Sequence, residues 1–470
     1  MHLTARLFAV LFIGAIHCFA QRSNYKFNNF GNRSIVLAGN VTGSVSDIGL
    51  SYYNPSFLAN TTKVGFSLNA RAYQIENIKL DNVLNEDSKL STTKFSGASN
   101  MAGGIFNLFG TKFAYTYLTK SNHNSDLYYD HYYLNDDILA IFPNAIKHNA
   151  SINLMNKVRD DWTGITWAYT LAQNFYVGVS LFGSIYSHSG RSNLNHTVES
   201  ENNEVAFYKS YRSFSQTSYG AFFKIGFNYS LKKLQLGMNI NLPYLEVYND
   251  GTFGYTEVVA GVNQEYNKFI DYDFRNLKSK RKEPLGISIG AGIPINKSKL
   301  HLNVDYITGI KSFNRINIPS LDLGLNSLTT INFNEARVAV LNFGVGAELF
   351  LNEKIKLYGG FSTDFSPLKK TANIFDLSVE NTKETNLGDD FYHISMGIDW
   401  TLKWANLIFG ITHANSKNSF LNPYTINAEG FKISNAINSE LRYTRLQFMA
   451  GIDVPVFNKK INNIIKLEEN

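Results

Sequence analysis

Charged residues are scarce in this chain of 470 residues, so their positions are where chemistry should be sought. Only 17% are Asp, Glu, Lys or Arg, against roughly 25% in soluble domains. Asp305, Glu348, Asp364, Asp399 and Asp453, with Arg71, Lys224, Lys356 and Arg445, recur at alternate positions of otherwise apolar or small-residue segments. One outcome is an internal ion-pair network that fills and hydrates an interior. The other is a binding site in which Arg71 or Lys224 orients the carboxylate of an amphiphile through a charge-assisted hydrogen bond, with the tail in an apolar pocket. Catalysis is not signalled. The sequence has no His-Glu-x-x-His, no P-loop and no Cys cluster. No enzymatic activity, cofactor or metal is therefore expected, and the spacing of His123, His131 and His148 fits no metal motif.

Two further clusters carry alternatives. Tyr128-Tyr-Asp-His-Tyr-Tyr133, followed by Ile138–Phe142, either packs a long loop on itself or forms an external groove for hydrophobic ligands. The basic run Arg275–Lys282 reads as a solvated outer loop or as a contact for lipopolysaccharide phosphates. The net charge of +6 is spread too thinly to indicate nucleic acid.

The elements that would position these residues are strands. Residues 1–20 read as a signal peptide: Arg6, the apolar stretch Leu7–Ile16, and Cys18-Phe19-Ala20 before Gln21. The lipoprotein alternative would need a small residue where His17 stands. Beyond that segment no run of eighteen apolar residues occurs, so a helical membrane protein is excluded. From Lys63 the chain alternates with period two. Phe66, Leu68, Ala70 and Ala72 fall on one face; Gly65, Ser67, Asn69, Arg71 and Tyr73 fall on the other. Tyr219–Tyr229, Leu285–Ile293 and Thr444–Val454 repeat the pattern. Fourteen such segments run roughly over 63–73, 99–108, 112–119, 162–170, 174–186, 217–230, 233–247, 284–294, 299–308, 336–350, 354–364, 391–402, 405–412 and 442–454. Short and long connections alternate between them, with aromatic residues such as Trp167, Tyr169, Trp400 and Trp404 at strand ends. This predicts an all-β protein: a transmembrane antiparallel up-and-down barrel of about 14 strands, apolar toward lipid and polar toward the lumen. The expected division is 1–20 signal peptide, 21–62 plug, 63–454 barrel and 455–470 periplasmic tail.

Ahead of the first strand lies Ser34–Asp47, then Tyr52-Tyr-Asn-Pro-Ser-Phe-Leu58. Gly39, Asp47, Asn54, Pro55 and Leu58 resemble the opening of the FadL-type outer-membrane transporters and the PorV-like barrels related to them; Ser56 stands where that motif has Ala. The resemblance implies fourteen strands, an N-terminal hatch inside the barrel, and residence in the outer membrane of a Gram-negative bacterium, in contact with lipid and lipopolysaccharide. It implies uptake of hydrophobic small molecules such as long-chain fatty acids. The alternative is a PorV-like partner or shuttle in protein secretion. Independently of the resemblance, so wide a lumen needs a filling. The apolar residues Ile35 to Leu58 have no other core to join, and Gly286, Ser288, Gly290, Gly292, Gly344 and Gly346 leave room for them.

Overall fold

A computed structural model describes residues 24–61, 65–82, 89–134, 145–261, 267–322, 328–330, 333–368, 390–421, 425–428, 431–434 and 438–455. The expected signal peptide and nearly all of the expected tail lie outside them. The strands are β1 (Gly65–Asp81), β2 (Lys89–Leu108), β3 (Thr111–Leu134), β4 (Ala145–Ala172), β5 (Phe175–Ser200), β6 (Val205–Ser230), β7 (Gln235–Asn241), β8 (Leu245–Ala260), β9 (Lys268–Leu277), β10 (Gly286–Ile295) and β11 (Ser298–Ile307). Four short ones follow: β12 (Ile310–Ile316), β13 (Leu321–Asp322), β14 (Leu328–Thr329) and β15 (Phe333–Arg337). The chain continues with β16 (Val340–Asn352), β17 (Ile355–Asp364), β18 (Phe391–Thr401), β19 (Asn406–Leu421), β20 (Thr425–Ala428), β21 (Phe431–Ser434) and β22 (Asn438–Val454). Among the described residues fourteen of these close an antiparallel ring, β1 to β7, β10, β11, β16 to β19 and β22, with β22 paired to β1. The fold class expected from the alternation is the one observed.

Closure lets every strand find hydrogen-bond partners on both sides, which lipid cannot supply. The tight connections use residues that tolerate positive φ: Gly110 at 72°, Asn174 at 64° and Asn296 at 54°. At this end Tyr169, Trp400 and Trp404 are exposed, as expected for an interfacial girdle.

The strands are much longer than the alternation suggested. At about 3.3 Å per residue, the 28 residues of β4 extend well past the roughly 9–11 that cross a bilayer. Stretches expected to be loops, including 120–134, 145–161, 187–200 and 205–216, are strand. The cause is a change of facing along one strand. In β1, Ser67, Asn69 and Arg71 are buried and Leu68 is exposed. A register shift between Arg71 and Tyr73 against β22 then alters the phase. Tyr73, expected on the lumen face, is instead 56% exposed, and Gln74, Glu76, Ile78 and Leu80 point inward. Beyond the lipid-facing belt the apolar residues therefore face in. Ile78, Leu80, Leu127, Ile152, Leu194, Phe391, Leu441 and Tyr443 form a core there.

Within this outer core the buried rings of His148 on β4 and His196 on β5 stack, with Nε2 and Nδ1 2.9 Å apart. Burial, then the neighbouring His148, pushes the His196 imidazole down to about 3. A depressed value means that the neutral form is favoured by folding. This contribution is complete above the ordinary value of about 6.5 and is lost as pH falls through the folded value. After division by the intrinsic exchange rate, which itself falls with pH, amide exchange in this part of β4 and β5 should accelerate below pH 6.5 in the native protein. The same acidification should have less effect in His196→Phe; equal acceleration in both would refute the assignment.

Two strands are broken rather than continuous. β7 pairs with β6 up to Lys224, and β8 resumes the pairing from Ala221 after the interruption Leu242-Pro243-Tyr244. Pro243 cannot donate to a ladder. Opposite this break β9 ends at Leu277 and β10 begins at Gly286, so the intervening residues leave the wall. Elsewhere in the ring, β2 and β3 are paired only from Leu108–Thr111 to Met101–Leu118, and beyond that their pairing stops.

Residues 24–61 lie inside the ring. They form α1 (Asn32–Val36), α2 (Leu50–Tyr53) and α3 (Phe57–Asn60). Phe30, Leu37, Val41, Ile48, Leu50 and Leu58 are at most 3% exposed and pack with Met101, Trp162, Phe182 and Ile408 of the strands. Polar groups reach the wall around the circumference: Asn32 Nδ2 donates to Asp453 Oδ1 at 2.5 Å, Asn40 Nδ2 to Phe361 O at 2.8 Å, and Ser51 Oγ meets Thr116 Oγ1 at 3.0 Å. The small lumen residues are shaped to this segment. A Cβ on Gly290 would come within 2.5 Å of Gly43 N, and one on Gly344 would overlap the Asn40 amide.

Candidate functional site: a cation-bearing cavity above the N-terminal segment

The motif residues that opened the resemblance each have a local task. The Asp47 carboxylate caps α1, accepting from Arg33 N at 2.6 Å and Ser34 N at 2.8 Å, and it also takes Gly49 N at 2.9 Å. These are N–H groups that a short helix leaves unsatisfied. Gly39 has φ 73°, a conformation that a side chain would strain. Asn54 Nδ2 ties Thr42 O to Phe227 O of β6 at 2.9 and 3.0 Å. Asn54 Oδ1 accepts the Ser56 hydroxyl at 2.6 Å, so the serine that departs from the motif closes the turn. Pro55 packs against Gly178 and Gly226, and Leu58 is fully buried.

Between this segment and the outer core lies a cavity of about 220 Å³. Its floor includes Thr42, Tyr52 and Tyr53, and its far side includes Phe27, Phe391 and Tyr443. Trp162 stacks on Phe222 at 4.0 Å along one wall. Lys224, 5% exposed, lines this cavity; its Nζ lies 4.0 Å from the Tyr52 ring centroid and donates to Asn241 Oδ1 at 2.5 Å. Lys120 Nζ approaches the same tyrosine, donating to its hydroxyl at 2.7 Å and to Tyr25 O at 3.1 Å. Both lysines are held by neutral oxygens and a ring face. Among the described residues neither forms an ion pair, whereas nearby Lys26 is matched to Asp305 at 2.6 Å. The cavity thus joins an aromatic lining to two lysines that make no ion pair among the described residues, with Asp160, Glu283 and Asp305 also on its lining, and it can take a polar head group on an apolar body.

Arg71, the other expected ligand residue, is not among the residues lining this cavity. It is buried by the N-terminal segment and donates to Asn28 Oδ1 at 3.0 Å, beside a void of about 10 Å³. The internal carboxylates are paired chiefly with the N-terminal segment rather than with wall cations. Arg33 bridges Asp399 and Asp453, both at 2.7 Å; only Lys356–Glu348, 2.6 Å, joins two of the wall residues singled out. His393 approaches Asp364 at 3.5 Å.

The basic run expected outside is also placed differently. Arg275 is exposed, but the residues after β9 turn into the lumen and bury Arg281 to 2%. Its guanidinium donates to Asp160 at 2.7 Å and Ser184 Oγ at 2.9 Å, and lies 4.1 Å from the Tyr186 ring centroid. Glu246 Oε1 accepts the Arg281 backbone N–H at 2.9 Å, so the strap is tied at its base. Pro284, just after it, lines the cavity.

Sequence reasoning missed Lys120, Tyr52, Trp162 and Arg281 as cavity and strap residues. Trp162 was recoverable from parity, because Gly164, Thr166 and Ala168 share its inward face. Lys120 lay in a presumed loop, and nothing in the local pattern turns Arg281 inward.

A fourteen-strand ring filled by its own N-terminal segment is the FadL-type outer-membrane transporter fold. The chain is similar to a Pseudomonas aeruginosa FadL homologue, with a TM-score of 0.55 and 10% identity over 93% of this chain and 100% of that one. It is also similar to the Pseudomonas putida toluene transporter TodX, with a TM-score of 0.53 and 12% identity over 92% of this chain and 100% of that one. No family model and no curated protein matches the sequence.

Proposed function

We propose that the protein takes up hydrophobic small molecules, with acidic amphiphiles preferred, across the outer membrane of a Gram-negative bacterium. The observation that carries this reading is the cavity above the N-terminal segment, where aromatic walls meet Lys224 and Lys120. In this reading residues 24–61 act as the plug, and Lys224 takes the ligand's carboxylate in place of the Tyr52 ring face. At about 220 Å³ the cavity falls below the roughly 300–1,000 Å³ of pockets for drug-sized ligands. It therefore suits a compact acid, or the head and first carbons of a fatty acid. Lys120 lies just beyond the last β2–β3 pair, Met101–Leu118, and in this reading a solute leaving the cavity passes between those strands.

Lys224→Met keeps the length of the side chain and removes its charge. One charge-assisted hydrogen bond contributes about 1.5–3 kcal/mol, so binding of radiolabelled fatty acid by the purified protein should weaken about 10- to 100-fold. Binding of toluene, which has no acid group, should hold or improve. Equal acid binding by both proteins would exclude Lys224 as the head-group residue, and absence of binding in the native protein would exclude the uptake reading.

The exposed Phe95, Tyr128 and Tyr132 on the long strands favour a second reading, a PorV-like partner in secretion. A stable complex with an exported protein, lost when these three are changed to Ser, would support it; unchanged fatty-acid uptake in that variant would keep the two roles apart.

A further inference from the structure

Arg71 on β1 and Arg445 on β22 meet where the first and last strands of the ring close. Both are at most 5% exposed. Their Nη1 atoms donate to one acceptor, Asn28 Oδ1, at 3.0 and 2.9 Å, and Arg445 Nη2 donates to Phe27 O. Three donors remain buried with no partner: Arg71 Nε, Arg71 Nη2 and Arg445 Nε. Among the described residues neither arginine is ion-paired. Glu76 accepts from Tyr443 and Gln74 instead, both at 2.8 Å, and Asp364 accepts the Lys26 N–H at 3.0 Å.

Arg71 and Arg445 both line the void of about 10 Å³, together with Asn28, Asn100, Thr412 and Gln447. That volume holds one water-sized occupant. The surplus at this point is of donors and of positive charge. A water can accept only two hydrogen bonds and brings no charge, whereas leaving buried cationic donors unsatisfied is costly.

We propose that the void is a binding site for one small inorganic anion of chloride size, held between Arg71 and Arg445. The anion accepts the three free N–H groups and offsets the repulsion of two cations that share a single amide oxygen. It thereby fastens Asn28 of the N-terminal segment to both strands of the closing seam. A ligand carboxylate does not fit this void, so the site is separate from the cavity at Lys224 and does not depend on the uptake reading.

The test is crystallography of the full protein grown in sodium bromide, paired with thermal melting in sodium chloride and in sodium gluconate at equal ionic strength. An anomalous peak within hydrogen-bonding distance of both guanidiniums is expected. So is a Tm about 2 °C higher in chloride than in gluconate, with the difference lost in Arg71→Gln. Arg71→Lys, which keeps the charge, should retain part of it. Water density without an anomalous peak, or equal melting in the two salts for the native protein, would overturn the proposal whether or not the variants fold.

Discussion

Replacing Arg33 by Met should loosen the N-terminal segment and turn a closed barrel into a leaky one. The Arg33 guanidinium is the tie between α1 and two strands, donating at 2.7 Å to Asp399 of β18 and to Asp453 of β22. Removing it leaves two carboxylates without their cation. Breaking a buried pair by deleting one partner costs about 3–5 kcal/mol. Because Arg33 serves two acceptors at once, this should be among the most damaging single changes in the lumen. The cost falls on docking of the segment rather than on the ring, whose ladder does not pass through Arg33. In planar bilayers the variant should show frequent opening events where the native protein is quiet, with barrel assembly preserved. Adding Asp399→Asn and Asp453→Asn removes the stranded charges and should recover part of the closure. Unchanged conductance and unchanged melting in Arg33→Met would refute this account of the tie.

Arg281→Met should free the strap that crosses from the break between β9 and β10. Its guanidinium is 1% exposed and Asp160 is 2% exposed, so the pair is dry on both sides. Loss of the arginine strands Asp160 at a cost again of about 3–5 kcal/mol, and it removes the cation lying over Tyr186 and Tyr244. Hydrogen exchange over 278–285 should rise strongly in the variant, and radiolabelled fatty acid should leave the cavity faster because Pro284 lines it. The companion change Asp160→Leu in the same chain should slow exchange again. If exchange over the strap stays at the native level in Arg281→Met, the ion pair is not what holds it.

The lipid-facing belt was legible because two physical demands coincide there: a strand alternates its side chains, and lipid accepts only apolar ones. Every ring strand carries part of that signal. The outer halves of β3 to β6 were not legible, because outside the belt water lies on the exposed face and the apolar residues point inward. In β1 the facing changes at the bulge near Tyr73, whereas β5 keeps its even positions inward and its apolar residues move to that face; a reading tuned to outward apolar residues stops at both. The inward facing of Lys224 was legible from parity alone. Arg71 has the same parity, but its position along the strand decides what it meets, and parity does not encode that. Arg281 was hidden for another reason: its inward path depends on a partner more than a hundred residues away, Asp160, and on the neighbouring break at Pro243.

The tie made by Arg33 also fixes an order of events. Its partner Asp453 lies 420 residues further along the chain. Residues 24–61, made before the strands that enclose them, therefore find their last counter-charge only when the final strand arrives. Contacts of such separation are reached late and at high entropic cost. Until then Arg33, Asn32 and the apolar residues beside them have no finished interior to enter. An unclosed sheet with this segment exposed is the aggregation-prone stage of assembly, and a chaperone that shields residues 24–61 would protect it.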